Sequence, residues 1–261
     1  MEYLTRDGVR LAYRDQGSGS PPMVFVHGWC CDHTYFAPQV EYFMVNHRVI
    51  AVDLRGHGAS DKPDQDYTMA GFADDLAWLC EQLGIERPVV VGHSMGGVVT
   101  FEMAARHPER VGAVVALDAP IVPLQALREA ITPVIAGLKG PTYQDVARGF
   151  VNGLLFLPTD DAERRVQVAD HILAAPQNVM ASAFESIFDC DTGTSISACE
   201  VPALLINAAA VVSDLNQVRN LCPHIMIGQT VGAGHFNQLE VPEQVNAMIE
   251  RFLRMAPTVV Q

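Results

Sequence analysis

The sequence lacks any long hydrophobic run, since no apolar stretch approaches the roughly 18 residues needed to cross a membrane. Basic charge is scarce. Lys and Arg total 17 against 30 Asp and Glu, and the net charge of −13 repels nucleic-acid backbones and anionic membrane surfaces, so neither is expected as a partner. Metal-type cysteine pairs are missing too, because Cys30, Cys31, Cys80, Cys190, Cys199 and Cys222 include no CxxC spacing. They read as free thiols of a reducing compartment, with the adjacent Cys30 and Cys31 as packing residues. The opening Met1-Glu2-Tyr3-Leu4-Thr5-Arg6-Asp7 has neither the basic start nor the apolar stretch of a secretory signal, so a cytoplasmic location is the expectation. No internal repeat is visible, and 261 residues suit one large domain or a core carrying one insertion.

What the chain does have is alternation. Turn signals at Asp7-Gly8 and from Gly17 to Pro22 bracket two short segments, Tyr3 to Thr5 and Arg10 to Arg14, and predict an antiparallel hairpin. Six β-branched-rich apolar runs follow, at Met23 to Val26, Arg48 to Val52, Pro88 to Val91, Ala113 to Leu117, Ala203 to Ile206 and Ile225 to Ile227. Runs apolar on both faces predict strands of a covered parallel sheet, with helices at Phe72 to Leu83 and Met95 to Arg106 between them. From Ile121 to Thr194 the strand pattern stops. Helical stretches at Leu124 to Leu138, Tyr143 to Leu155, Asp160 to Leu173 and Asn178 to Phe188 predict an insertion, divided into short helices by Pro123, Pro133, Pro141, Pro158 and Pro176. The expected division is an α/β core of residues 1–120 and 195–261 and a helical cap of residues 121–194, with fraying after Arg254.

The strongest chemical signal is Val89-Val90-Val91-Gly92-His93-Ser94-Met95-Gly96-Gly97, a strand that runs through G-x-S-x-G into a helix. Such a turn exposes a serine hydroxyl at the strand tip, and the glycines admit the close backbone approach that the turn demands. A serine nucleophile needs a base. Gly232-Ala233-Gly234-His235-Phe236, a small-residue loop late in the chain, supplies His235; His93, His107 and His224 have no comparable setting. An oxyanion hole takes one backbone N–H from the residue after the nucleophile, here Met95, and one from a loop after an earlier strand, where Val24-Phe25-Val26-His27-Gly28-Trp29 nominates the Trp29 amide.

His27-Gly28-Trp29, Asp53-Leu54-Arg55-Gly56-His57-Gly58-Ala59-Ser60, Gly92 to Gly97 and Gly234-His235-Phe236 together resemble the α/β-hydrolase superfamily, in its capped esterase, C–C hydrolase and cofactor-free haloperoxidase-like branches. The similarity spans nearly the whole chain outside the cap. It implies a mostly parallel eight-stranded sheet flanked by helices, with a helical cap, no cofactor and no metal. Asp53 to Ser60 reads as a structural brace at the edge of the site.

The acid departs from the superfamily's common pattern. A carboxylate usually follows the seventh strand by a few residues, but here Asn207-Ala208-Ala209-Ala210-Val211-Val212-Ser213-Asp214 is apolar where it is expected. Asp214 is the nearest carboxylate, yet Ser213-Asp214-Leu215 also reads as a helix start. The preferred candidate is Asp118, which ends the sixth strand 24 residues after Ser94, a placement similar to that in haloalkane dehalogenase-like relatives. The function expected is hydrolysis of a small apolar ester or lactone by Ser94, His235 and Asp118. Alternatives are C–C bond hydrolysis or haloperoxidase chemistry on the same framework, and a ligand receptor that keeps the fold with negligible turnover. Epoxide hydrolase and dehalogenase relatives use an Asp where Ser94 stands. Leu154, Phe156, Ile172, Phe184 and Phe188 are candidates for shaping the substrate, although their spacing equally describes cap core.

Overall fold

In the computed structural model, which describes residues 1–256, the N-terminal hairpin forms from β1 (Glu2–Arg6) and β2 (Val9–Gln16). The chain then alternates through β3 (Met23–Val26), α1 (Ala37–Phe43), β4 (Val49–Asp53), α2 (Met69–Gln82), β5 (Val89–His93), α3 (Met95–Arg106) and β6 (Ala113–Leu117). Five consecutive helices follow: α4 (Gln125–Leu138), α5 (Tyr143–Leu154), α6 (Ala162–Leu173), α7 (Gln177–Asp189) and α8 (Thr192–Ser197). The closing elements are β7 (Ala203–Asn207), α9 (Leu215–Leu221), β8 (Met226–Gln229), α10 (Asn237–Glu240) and α11 (Pro242–Met255). The fraying expected after Arg254 falls mostly on residues 257–261, which lie outside the described residues.

The eight strands make one sheet in the order β1-β2-β4-β3-β5-β6-β7-β8, with β2 antiparallel to β4 and every pair from β4 to β8 parallel. Every residue of β3 to β7 is buried, and strand periodicity sorts them onto two layers. Val24, Val26, Val90 and Val114 face α2, α3 and the inserted helices, whereas Met23, Phe25, Val91 and Val115 pack on α1 and α11. A sheet covered on both faces needs unbroken apolar strands, which is why the sequence shows runs rather than alternation. No helix among the described residues is long and apolar enough to cross a membrane.

Two local features differ from expectation. Pro133 does not divide the insertion; it lies inside α4, whereas Pro123 precedes α4 and Pro141, Pro158 and Pro176 fall between helices. A mid-helix proline removes the bond to the carbonyl four residues back, here Glu129, and that residue is on the exposed face where water can take its place. The helix α2 starts at Met69 rather than Phe72, because the Thr68 hydroxyl caps the Gly71 N–H at 3.0 Å.

Candidate active site

Ser94 sits between β5 and α3 with φ 53° and ψ −117°, a left-handed conformation that a residue with a Cβ adopts only under constraint. The constraint is close packing of backbone on backbone. A Cβ on Gly92 would strike the Gly96 carbonyl, and one on Gly96 would strike the Val26 carbonyl, so strand, helix and β3 meet at distances that only glycine permits. The Ser94 N–H is tied to Leu117 O at 2.9 Å, and the Gly97 and Val98 N–H groups bond back to Ser94 O at 2.9 and 3.3 Å. The hydroxyl is left at the wall of a cavity.

Asp118 ends β6 in a second left-handed conformation, φ 41°, with its N–H held by Ile206 O of β7 at 2.8 Å. Its buried carboxylate accepts from His235 Nδ1 at 2.7 Å through Oδ2 and from the Ala208 N–H at 2.9 Å through Oδ1. A carboxylate bonded at Nδ1 makes that nitrogen the proton carrier and leaves Nε2 as the free base. Asp214 is elsewhere. It starts α9, where Oδ1 accepts from the Asn216 and Gln217 N–H groups at 3.0 Å each, and it does not line the cavity. The structure therefore brings Ser94, His235 and Asp118 to one cavity and leaves Asp214 as a helix cap.

The cavity holds about 380 Å³. Its polar side chains are those of Ser94, His235, Asp118 and His93, with the Cys31 thiol, and the remaining lining, Trp29 included, is aliphatic, aromatic or glycine. All five candidate shape residues, Leu154, Phe156, Ile172, Phe184 and Phe188, border it. Leu124, Leu127 and Ile131 of the α4 region join them, as do Ala208, Ala210, Val211 and Val212 after β7. That last segment explains the missing acid: the stretch that carries a carboxylate in the common pattern is here an apolar wall. Neither the Trp29 nor the Met95 N–H donates to a backbone group in a turn, loop or cap among the described residues. The Trp29 indole donates to Met180 O of α7 at 2.8 Å, which ties this loop to the inserted helices.

Asp53 to Ser60 stays outside the cavity. The Asp53 carboxylate accepts from the His33 N–H and Nδ1 at 2.7 and 2.8 Å and from the Ala59 N–H at 2.8 Å. Among the described residues no group of three or more His, Cys, Asp or Glu is placed to hold a metal ion.

Three histidines are buried in the core, of which His93 lines the cavity. Burial pushes His27, His57 and His93 below the ordinary imidazole range, His57 to about 3. The unfolded chain takes a proton on each as pH falls through about 6.5 while the native chain does not, so native stability declines on the acid side. His33 acts only on the alkaline side of about 6.5, because its hydrogen bond to Asp53 raises its affinity for a proton and leaves it protonated in both states below that. Below about pH 6 the slope is that of the buried imidazoles alone, up to about 1 kcal/mol per pH unit for each one that stays neutral in the native chain. Urea unfolding at pH 7.0 and 5.5 checks this. A midpoint that does not fall would show that the three imidazoles are not buried neutral.

Two contacts were invisible in the sequence. His93 donates from Nε2 to His235 O at 2.8 Å, and Asp160, between α5 and α6, accepts from the Gly234 N–H at 3.0 Å. No motif marks either one; both arise from elements far apart in the chain.

Residues 21–162 match the family described as alpha/beta hydrolase fold. A 2-(acetamidomethylene)succinate hydrolase of Mesorhizobium japonicum is 38% identical over 130 residues, which are 49% of this chain and 46% of that protein. The match thus spans less than half of that relative's length. 3-oxoadipate enol-lactonase 2 of Acinetobacter baylyi is 27% identical over 259 residues, 96% of each chain. A thermophilic esterase from Thermogutta terrifontis, solved with malate bound, has a TM-score of 0.84 at 27% identity, covering 98% of this chain and 99% of that one. By the family match over more than half its length, and by the sheet order and strand-turn-helix site that agree with it, the chain belongs to the α/β-hydrolase fold family.

Proposed function

We propose that the protein is a serine hydrolase of small, uncharged, apolar carboxylic esters or lactones, with residues 121–194 acting as a cap over the site. The observation that carries this reading is an apolar cavity of about 380 Å³ whose few polar groups converge on Ser94. His235 takes the proton of the Ser94 hydroxyl as its oxygen attacks the ester carbonyl, and Asp118 holds the imidazolium that results. The Trp29 and Met95 N–H groups receive the oxyanion, with each such donor worth about 3 kcal/mol in the transition state. Collapse of the tetrahedral species expels the alcohol, which takes the proton from His235. Water, deprotonated by the same imidazole, then attacks the acyl-enzyme and releases the acid and the serine.

Charge in the substrate is the discriminating variable. The cavity lining contains no Lys or Arg, so a carboxylate on the acyl chain would be desolvated there without a partner. Turnover of p-nitrophenyl hexanoate is expected to exceed that of the p-nitrophenyl monoester of adipic acid by about 100-fold or more in kcat/KM, a difference of roughly 3 kcal/mol. Absence of multiple turnover on any neutral ester would leave a receptor built on a hydrolase fold. Equal turnover of the two esters would show that the acyl chain does not enter this cavity.

A further inference from the structure

The Gly234-His235 backbone is gripped from both sides. The Gly234 N–H donates to Asp160 Oδ1 at 3.0 Å and the His235 N–H to Leu155 O at 3.0 Å, so both amides end on the connection between α5 and α6. The His235 carbonyl accepts from His93 Nε2 at 2.8 Å, on the core side beside Ser94. Asp160 is itself buried at 6% exposure, and its second oxygen accepts from the Leu157 N–H at 2.7 Å. One carboxylate thus closes its own loop and holds the histidine loop to it. The fit has no slack: a Cβ on Gly234 would strike the Asp160 carboxylate and lie 3.0 Å from Leu155 O and Leu157 N. Beside it, Phe156 stacks on Phe236 with ring centroids 5.4 Å apart.

Burying a carboxylate is costly unless its hydrogen-bond capacity is met, and a cap that needed only to cover a pocket would close on apolar surface. A more remote tie already attaches this end of the insertion, because Arg164 pairs with Glu240 at 2.9 Å. The Asp160 bond adds something that tie does not, since it reaches the peptide that carries the imidazole. A base displaced by about 1 Å loses on the order of 100-fold in rate.

We infer that Asp160 is a positioning residue, through which the α5–α6 connection sets the His235 imidazole in the cavity that Ser94 also lines. The inference rests on the proposed role of Ser94 and His235. Asp160 does not touch substrate; it acts through the Gly234 amide. Activity therefore depends on the seating of the inserted helices and not only on the strand-end loops.

Steady-state kinetics on p-nitrophenyl hexanoate test this with Asp160→Asn, which keeps the shape but turns one acceptor oxygen into an NH₂ facing an N–H donor. The expected result is a kcat reduced by about 30-fold with KM within threefold of the parent, because the base moves while the pocket walls stay. Hydrogen exchange should quicken in the peptide spanning residues 231–236. Arg164→Ala, which cuts the remote tie alone, should keep kcat within about twofold. Should Asp160→Asn not fold, Gly234→Ala presses on the same contact by one methyl group and should reproduce the kcat loss at unchanged KM. A folded Asp160→Asn or Gly234→Ala with kcat within threefold of the parent, or with its loss confined to KM, overturns the inference. An inactive parent would instead overturn the hydrolase reading, so the two failures are distinguishable.

Discussion

Ser94→Ala is expected to lower turnover of p-nitrophenyl hexanoate by at least about 10⁴-fold, with little change in stability. The size follows from what remains when the hydroxyl is gone. The Trp29 and Met95 amides and the apolar cavity still bind the ester and polarise its carbonyl, so a residue of catalysis over water persists, but no acyl-enzyme can form. Stability should change by less than about 1 kcal/mol, because serine and alanine both carry the Cβ that the φ of 53° penalises, so the strain is common to the two. Parent and variant are compared by initial rates at saturating ester and by urea midpoints. A variant that keeps more than a tenth of parental turnover with parental stability would remove Ser94 as the nucleophile. Measuring both quantities matters, since the elbow is where β3, β5 and α3 meet and a folding defect there would also silence the enzyme.

The sheet was legible in the sequence for a physical reason. Strands buried on both faces must be largely apolar, and β3 to β7 are apolar except at the C-terminal Asp53, His93 and Asn207, so their runs stood out against the amphipathic helices between them. Helix ends were less legible, because an end depends on capping and tolerance at single residues. Thr68 moved one, and Pro133 failed to create another. The candidate nucleophile and the candidate general base were legible because each needs a local backbone device, glycines around Ser94 and small residues before His235. The acid was legible only as a preference for Asp118 over Asp214, since its requirement is only proximity to the imidazole. Proximity is a product of β6 pairing with β7, which sets Asp118 beside the Ala208 N–H and turns the Ala208 to Val212 segment into cavity wall. Asp160 lies further still from any local signal. Its neighbours in sequence, Thr159 and Asp161, describe a helix start, and only the folded insertion shows that its carboxylate reaches Gly234.

The choice between the two acids carries the second large effect. Asp118→Asn is expected to reduce kcat by about 10³- to 10⁴-fold, whereas Asp214→Asn should stay within twofold of the parent. An asparagine at 118 suits the left-handed φ of 41°, so the strand end should survive. Its carbonyl oxygen can continue to accept from the Ala208 N–H, which leaves the NH₂ group facing His235 Nδ1. A donor there forces the other tautomer. Nδ1 becomes the acceptor, Nε2 carries the proton, and the nitrogen that should take the Ser94 proton can no longer do so. At position 214 the same change is nearly silent, because asparagine caps a helix as well as aspartate does and the bonds to Asn216 and Gln217 need only one oxygen. Rates on p-nitrophenyl hexanoate for the two variants, normalised to folded protein, decide the matter. A crippled Asp214→Asn beside a near-normal Asp118→Asn would require His235 to leave a 2.7 Å bond for a carboxylate that is already holding a helix, and would overturn the assignment.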